Sequence, residues 1–220
     1  MRQELEGRRA LVTGGGRGIG RAIALALARA GARVAVLSRT RQQVEAVVDE
    51  IAGAGGSGLA APADVADGSS LRAAVGRVLG LWGGIDILVN AAGVLGPIGL
   101  THTADPTAWL RAVSVNLGGC FLCTQLVLAG MVERRWGRIV NLSGGGAVGP
   151  RPYFSAYSAS KAAVVRFTET LAAEVAEFGV GVNALAPGAV NTAMLDQVLE
   201  AGPAAGAAAL AEARRQAAEG

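Results

Sequence analysis

Six short apolar runs, each followed by a turn and most then by a stretch with helical periodicity, constrain this chain more than any other feature. They fall at Arg9–Thr13, Arg33–Leu37, 59–63, 85–89, 138–142 and Val180–Leu185. Between them lie helical patterns at 21–30, 41–52, 69–81 and 112–131, and a fifth running from about 155 to 178. Strands joined through helices pair in parallel, and parallel strands are covered on both faces. The expected fold class is therefore α/β, a doubly wound parallel sheet in three α/β/α layers. At 220 residues one domain is expected. Aromatic residues make up only 4%, so the core must be built from Ala, Val, Leu and Ile.

In such a sheet, ligands gather at the carboxyl ends of the strands, and the polar and glycine-rich segments of this chain fall there. After Thr13 comes Gly14-Gly15-Gly16-Arg17-Gly18-Ile19-Gly20, then a helix. A strand, a glycine loop and a helix amino end together point backbone N–H groups at phosphate. The loop is no triphosphatase loop, because Arg21-Ala22 stands where Lys-Ser/Thr is needed. At the end of the second strand, Ser38 replaces the carboxylate that would take the adenosine ribose hydroxyls of NAD, and Arg39 follows. A carboxylate repels a 2′-phosphate, whereas Arg39, helped by Arg17 or Arg41, attracts one. NADP is expected, with NAD as the alternative. Asp64 and Val65 end the third strand where an adenine ring would lie, and Asn90-Ala91-Ala92-Gly93 forms a tight turn after the fourth. Asp105-Pro106 reads as an N-cap followed by proline at the first helical position.

Lys161 is the only lysine, and it stands four residues after Tyr157. On a helix that spacing puts both on one face, and an ammonium beside a phenol favours phenolate. Asn116, inside an apolar helix, marks a local hydrogen bond or a helix distortion. Other chemistries find little support. Cys120 and Cys123 have no second ligand pair and the only histidine, His102, reads as a solvated loop residue, so no metal site is expected. A net charge of +3 with scattered arginines offers no basic stripe for nucleic acid. No membrane-spanning run and no signal-peptide core are expected, which makes a cytoplasmic location the default.

Taken together, Thr13-Gly14-x-x-x-Gly18-x-Gly20, Asp64, Asn90-Ala91-Ala92-Gly93, Asn116, Tyr157-x-x-x-Lys161 and Pro187-Gly188 with Thr192 resemble the short-chain dehydrogenase/reductase family. The resemblance implies a Rossmann-type fold and hydride transfer between a nicotinamide cofactor and a ketone or secondary alcohol. It implies that Tyr157 is the general acid, that Lys161 lowers its pKa and binds the nicotinamide ribose, and that Asn116 holds a proton-relay water. The turn carrying Pro187, Gly188, Val190 and Thr192 would orient the carboxamide. Homodimers or homotetramers paired through the helices carrying Asn116 and Tyr157 are also implied.

Two departures from the family pattern stand out. Thirteen residues before Tyr157, where the family has its catalytic serine, this chain has Gly144, with Ser143 one place early. Either Ser143 serves through a local shift of the glycine-rich backbone, or the polarising hydroxyl is absent. The chain also ends without the family's last helix and strand, so residues 193–220 are expected to hold a substrate loop and a helical tail. Gly144 and this ending leave a catalytically weak NADP-binding sensor or assembly protein as the alternative.

Overall fold

The computed structural model describes residues 4–188 and 190–219; Met1–Gln3, Gly220 and Ala189 of the expected carboxamide turn lie outside the described residues. The strands are β1 (Arg9–Thr13), β2 (Arg33–Leu37), β3 (Ser57–Ala60), β4 (Ile87–Asn90), β5 (Gly137–Leu142) and β6 (Val180–Leu185). The helices are α1 (Gly18–Arg29), α2 (Arg41–Gly53), α3 (Gly68–Trp82), α4 (Pro106–Val113), α5 (Gly119–Glu133), α6 (Ser155–Val175), α7 (Ala193–Ala201) and α8 (Ala207–Glu219). All strand pairs are parallel, in the order β3-β2-β1-β4-β5-β6. The chain winds outward from β1 to β3, then crosses back to lay β4 on the other side of β1. A crevice at the carboxyl ends of β1 and β4 is the consequence.

Alternation along the strands builds two cores. Leu11, Ala35, Leu37, Leu88 and Ile139 face α3, α5 and α6, meeting Leu71, Val75, Cys123, Val127 and Leu171. Ala10, Val12, Val34, Val36, Ile87 and Val89 face α1 and α2, meeting Ala24, Leu25, Val44, Val47 and Ile51. A third cluster of Leu95, Phe154, Tyr157, Val198, Ala205 and Ala213 joins α6 to α7 and α8 above the sheet edge.

Three expectations change. The third strand pairs two residues earlier than expected, since Ala60 is the last residue registered against β2, although Ala61 N still donates to Val36 O (2.9 Å). The expected helix over 112–131 begins sooner, capped by Asp105, whose carboxylate accepts from Thr107 N (3.2 Å) and Ala108 N (3.0 Å). It is also broken by a π turn at Ser114–Gly118, the distortion foreseen at Asn116. The whole segment Pro106–Glu133, 28 residues, is long and apolar enough to cross a membrane, contrary to the sequence expectation. Part of its apolar surface serves the core, since α5 packs on α3, β4 and β5 while the π turn packs on α6, and Leu110 and Phe121 stay exposed.

Candidate active site

The glycine loop is assembled backbone on backbone. A Cβ on Gly14, whose φ is +65°, would lie 2.8 Å from the Cα and N of Ala92, and one on Gly20 would lie 2.3 Å from Gly14 O. Thr13 Oγ1 ties β1 to the β4 turn by accepting from Ala91 N (3.1 Å) and Ala92 N (3.2 Å). Arg17 precedes α1 in extended conformation; no side chain caps the helix and no acidic residue lies in its first turn. The positive helix end is thus left for an external anion.

A cleft of about 400 Å³ runs from this loop along the sheet edge. Gly14, Arg17, Gly18, Ile19, Gly20, Arg39, Asp64, Val65, Ala91, Gly93, Tyr157, Lys161, Pro187 and Thr192 all line it, as the sequence indicated. Gly16, Ser38, Thr40, Gln43, Ala63, Ala92 and Gln197 are further wall residues. Ser38 Oγ is buried without a hydrogen-bond partner beside Gly16, where a Cβ would come within 2.6 Å of it. Arg41 is turned away to Glu45 (3.3 Å). Asp64 accepts from Ala66 N (2.9 Å) and pairs with Arg111 (2.7 Å), a partner the sequence did not foretell. An orphaned buried hydroxyl, glycines that leave no room for a Cβ and an uncapped helix end form a donor set that fits a nicotinamide dinucleotide.

Asn90 departs from its expected role. Its amide lies under the sheet edge, donating to Asn141 Oδ1 (2.9 Å) and Thr124 Oγ1 (3.2 Å), while Asn141 donates to Thr168 (2.9 Å). The cause is register: Asn90 sits beside Asn141 in the β4–β5 ladder, and its Nδ2 bonds to that neighbour in a buried layer, while its Oδ1 is left without a partner. Gly188 and Val190 also depart, since past Pro187 the chain leaves the cleft for a second cavity and returns at Thr192. Thr192 Oγ1 caps α7 by accepting from Met194 N (3.4 Å), and its methyl group faces Gly18.

The second cavity, about 610 Å³, shares a wall with the first through Ser143, Tyr157, Pro187 and Thr192. Tyr157 and Lys161 are both buried on α6. Burial pushes the Tyr157 phenol up, with the Arg151 charge pulling it down. The expected lowering by Lys161 is not found. Its ammonium is turned to donate to Leu142 O (2.7 Å) and lies 5.8 Å from the phenol ring centroid. Burial holds Lys161 down to about 8, opposed by Cys120, itself pushed up to about 12 by burial. Asn116 is fully engaged: its Oδ1 accepts from Val94 N (2.8 Å), and its Nδ2 donates to Val94 O (2.9 Å) and Ser160 Oγ (2.8 Å). The Asn116 Oδ1 and Lys161 Nζ each lie 3.4 Å from where a Gly93 Cβ would be.

Gly144 occupies the place the missing serine would take. A Cβ there would lie 2.2 Å from the Tyr157 hydroxyl, so the phenol fills that space. Ser143 lines both cavities, but its hydroxyl donates to Lys161 O at 3.5 Å. The expected local shift of Ser143 toward the tyrosine is not seen, because neighbouring residues at a strand end point opposite ways. Sequence reasoning also missed the tail: Ala205, Ala209, Glu212, Ala213 and Gln216 wall the second cavity. The spacing of alanines on α8 was the available signal, but it does not say what the helix covers.

The family model for short chain dehydrogenases matches residues 8–202. A short chain dehydrogenase of Pseudocercospora fijiensis is 39% identical over 191 residues, 86% of this chain and 62% of its own length. The crystal structure of a gluconate 5-dehydrogenase from Burkholderia cenocepacia in complex with NADP and tartrate is 35% identical, with a TM-score of 0.84 over 90% of this chain and 78% of that one. NAD+-bound xylitol dehydrogenase is 30% identical, with a TM-score of 0.87 over 93% of this chain and 79% of that one. With strand order, glycine loop and the tyrosine–lysine helix in agreement, the chain belongs to the short chain dehydrogenase family of oxidoreductases.

Proposed function

We propose that the protein is an NADP-preferring oxidoreductase that transfers a hydride between nicotinamide and a ketone or secondary alcohol, with Tyr157 as general acid and base. One observation carries the reading: Tyr157 stands on the wall shared by the glycine-lined cleft and the second cavity. A bound nicotinamide supplies a hydride, two electrons and one hydrogen, to the carbonyl carbon and is oxidised in doing so. Tyr157 gives its O–H proton to the carbonyl oxygen as the π bond opens, leaving a secondary alcohol and a phenolate. Burial keeps the phenol protonated at neutral pH, as an acid requires. Arg151 places positive charge 5.7 Å from the ring centroid, where it stabilises the phenolate. Lys161, on the wall of the same cleft, is the residue that would hold the nicotinamide ribose. The Asn116 side chain is committed elsewhere, so a relay water would rest on the main chain of the π turn. With no hydroxyl at Gly144, carbonyl polarisation falls to Tyr157.

The preference for NADP rests on Ser38 in place of a carboxylate and on Arg17 and Arg39 on the same stretch of wall. A neighbour in complex with NADP agrees with it, and an NAD+-bound one keeps the comparison open. A homo-oligomer, formed through α4, α5 and α6, belongs to the same reading. Leu110 and Phe121 there are 63% and 48% exposed, and a two-fold contact would cover them. Light scattering that gives a monomer at micromolar concentration would refute that part. A cytoplasmic location is proposed with it, since reduction at the expense of NADPH needs a pool of that nucleotide.

The test is loss of NADPH absorbance in the presence of a panel of ketones, diketones and quinones. Turnover of any panel member supports the oxidoreductase. Tight NADPH binding without turnover of any would favour a sensor or assembly protein.

A further inference from the structure

The second cavity carries one cation that, among the described residues, has no charged partner. Its wall is mostly apolar, with Leu95, Met194, Leu195 and Val198 among its residues, and its charged groups are Arg151 and Glu212. Glu212 is paired with Arg215 one turn along α8. Arg151, among the described residues, has no carboxylate within 4.0 Å and no hydrogen-bond acceptor for its guanidinium. It is held instead by stacking, with Cζ 4.2 Å from the Phe154 ring centroid and 5.7 Å from that of Tyr157.

The surroundings fix it in that place. Phe154 is fully buried, so the surface on which the guanidinium lies is rigid. Phe154 N donates to Arg151 O (3.3 Å), and Tyr153, with φ at +70°, is anchored by Gly99 N donating to Tyr153 O (2.9 Å). Arg151 Nη1 lies 3.9 Å from where a Gly145 Cβ would be, directly beside Gly144 and the phenol. A stacked guanidinium presents its face to the ring and keeps its in-plane N–H donors, whose fork matches a carboxylate. Arg151 is half-buried, so its guanidinium is held against the ring while its N–H donors stay accessible from the cavity.

We propose that Arg151 is an anion-recognition group, and that the substrate is a carbonyl or hydroxy compound bearing a carboxylate a short chain away from the reacting carbon. The proposal rests on the hydride-transfer reading above for the reaction, and on the cavity alone for the recognition. The carboxylate pairs with Arg151 beside Gly145, the carbonyl oxygen meets the Tyr157 hydroxyl, and the remaining carbons lie against the apolar wall.

The test uses oxo acids of four to eight carbons, each beside its own methyl ester, with NADPH and the full chain. The acid is expected to be preferred, and Arg151→Met is expected to lower the acid-over-ester ratio of kcat/KM by about 10- to 100-fold, the worth of a charge-assisted pair. Arg151→Lys, which keeps the charge but loses the fork, should retain part of the preference. A ratio near one in the wild type, or a ratio unchanged in Arg151→Met, overturns the proposal and leaves the oxidoreductase reading standing. If neither compound turns over, calorimetry of the oxo acid with the NADP-loaded protein decides. Saturable binding lost in Arg151→Met keeps the recognition site, and no binding removes it, whereas the reaction itself is decided by the panel of ketones, diketones and quinones.

Discussion

The two halves of the site differ in what closes around their glycines. In the nucleotide half, the space beside Gly14 and Gly20 is filled by backbone, Ala92 for one and Gly14 itself for the other, while Gly15 and Gly16 between them meet the Val36 and Ser38 side chains. In the substrate half, the space beside Gly144, Gly146 and Gly206 is filled by side chains: the Tyr157 hydroxyl at 2.2 Å, Ser158 Oγ at 2.5 Å and the Tyr153 ring at 2.3 Å. Backbone cannot be repacked without moving strands and helices, whereas a side chain has other rotamers. The nucleotide half is therefore a fixed frame, and the substrate half is a surface whose shape depends on which side chains lean into it.

The contrast is broken most severely at Gly20. In Gly20→Ala the new methyl group meets Gly14 O, so α1 must move from β1. We expect a loss of stability of about 1–3 kcal/mol from overpacking, and NADPH titration should show binding abolished. Binding that survives unchanged would mean the loop is not the rigid frame described. Gly144→Ala comes next. The protein should stay folded and still bind NADPH, but the displaced phenol should lower kcat about 10²-fold, as misplacement of a reacting group does.

Arg39→Asp sharpens the comparison within the nucleotide half. Loss of a charge-assisted pair, with a carboxylate in its place, should weaken NADPH by about 10- to 100-fold more than NADH. Equal losses in fluorescence titrations of both would remove Arg39 from the 2′-phosphate. The smallest effect is expected from Ser143→Ala. Its hydroxyl faces the α6 backbone rather than the phenol, so kcat should change by far less than the roughly 10²-fold that follows loss of an oxyanion donor.

The same division sets what could be read from the residues alone. Alternating strands and helices, and glycines whose spacing follows a strand, are local patterns; they disclosed the sheet, its carboxyl edge and many of the residues that line the nucleotide cleft. Asn90 misled because its type suits a ligand turn, while the register that pairs it with Asn141 depends on strands fifty residues apart. The Tyr157–Lys161 pair was visible in its spacing, but not the turn of the ammonium toward Leu142 O. The substrate cavity was legible only at Ser143 and Tyr157 and in the expectation of a substrate loop after residue 192. Leu95, Arg151, Val198 and Ala213 come from four segments, and α7 and α8, packed on each other and clustered with Phe154 and Tyr157, bring them together. A helix of alanines such as α8 has no motif; its function is to occupy a place.

The central claim is that Tyr157, at the junction of the two cavities, donates the proton that accompanies hydride transfer. Single-turnover oxidation of bound NADPH by a ketone substrate, compared between the wild type and Tyr157→Phe, tests it most directly. The variant should still bind NADPH and stay folded, with hydride transfer slowed about 10²- to 10⁴-fold, the range for loss of a general acid. A Tyr157→Phe protein that oxidises NADPH at nearly the wild-type rate would contradict the account.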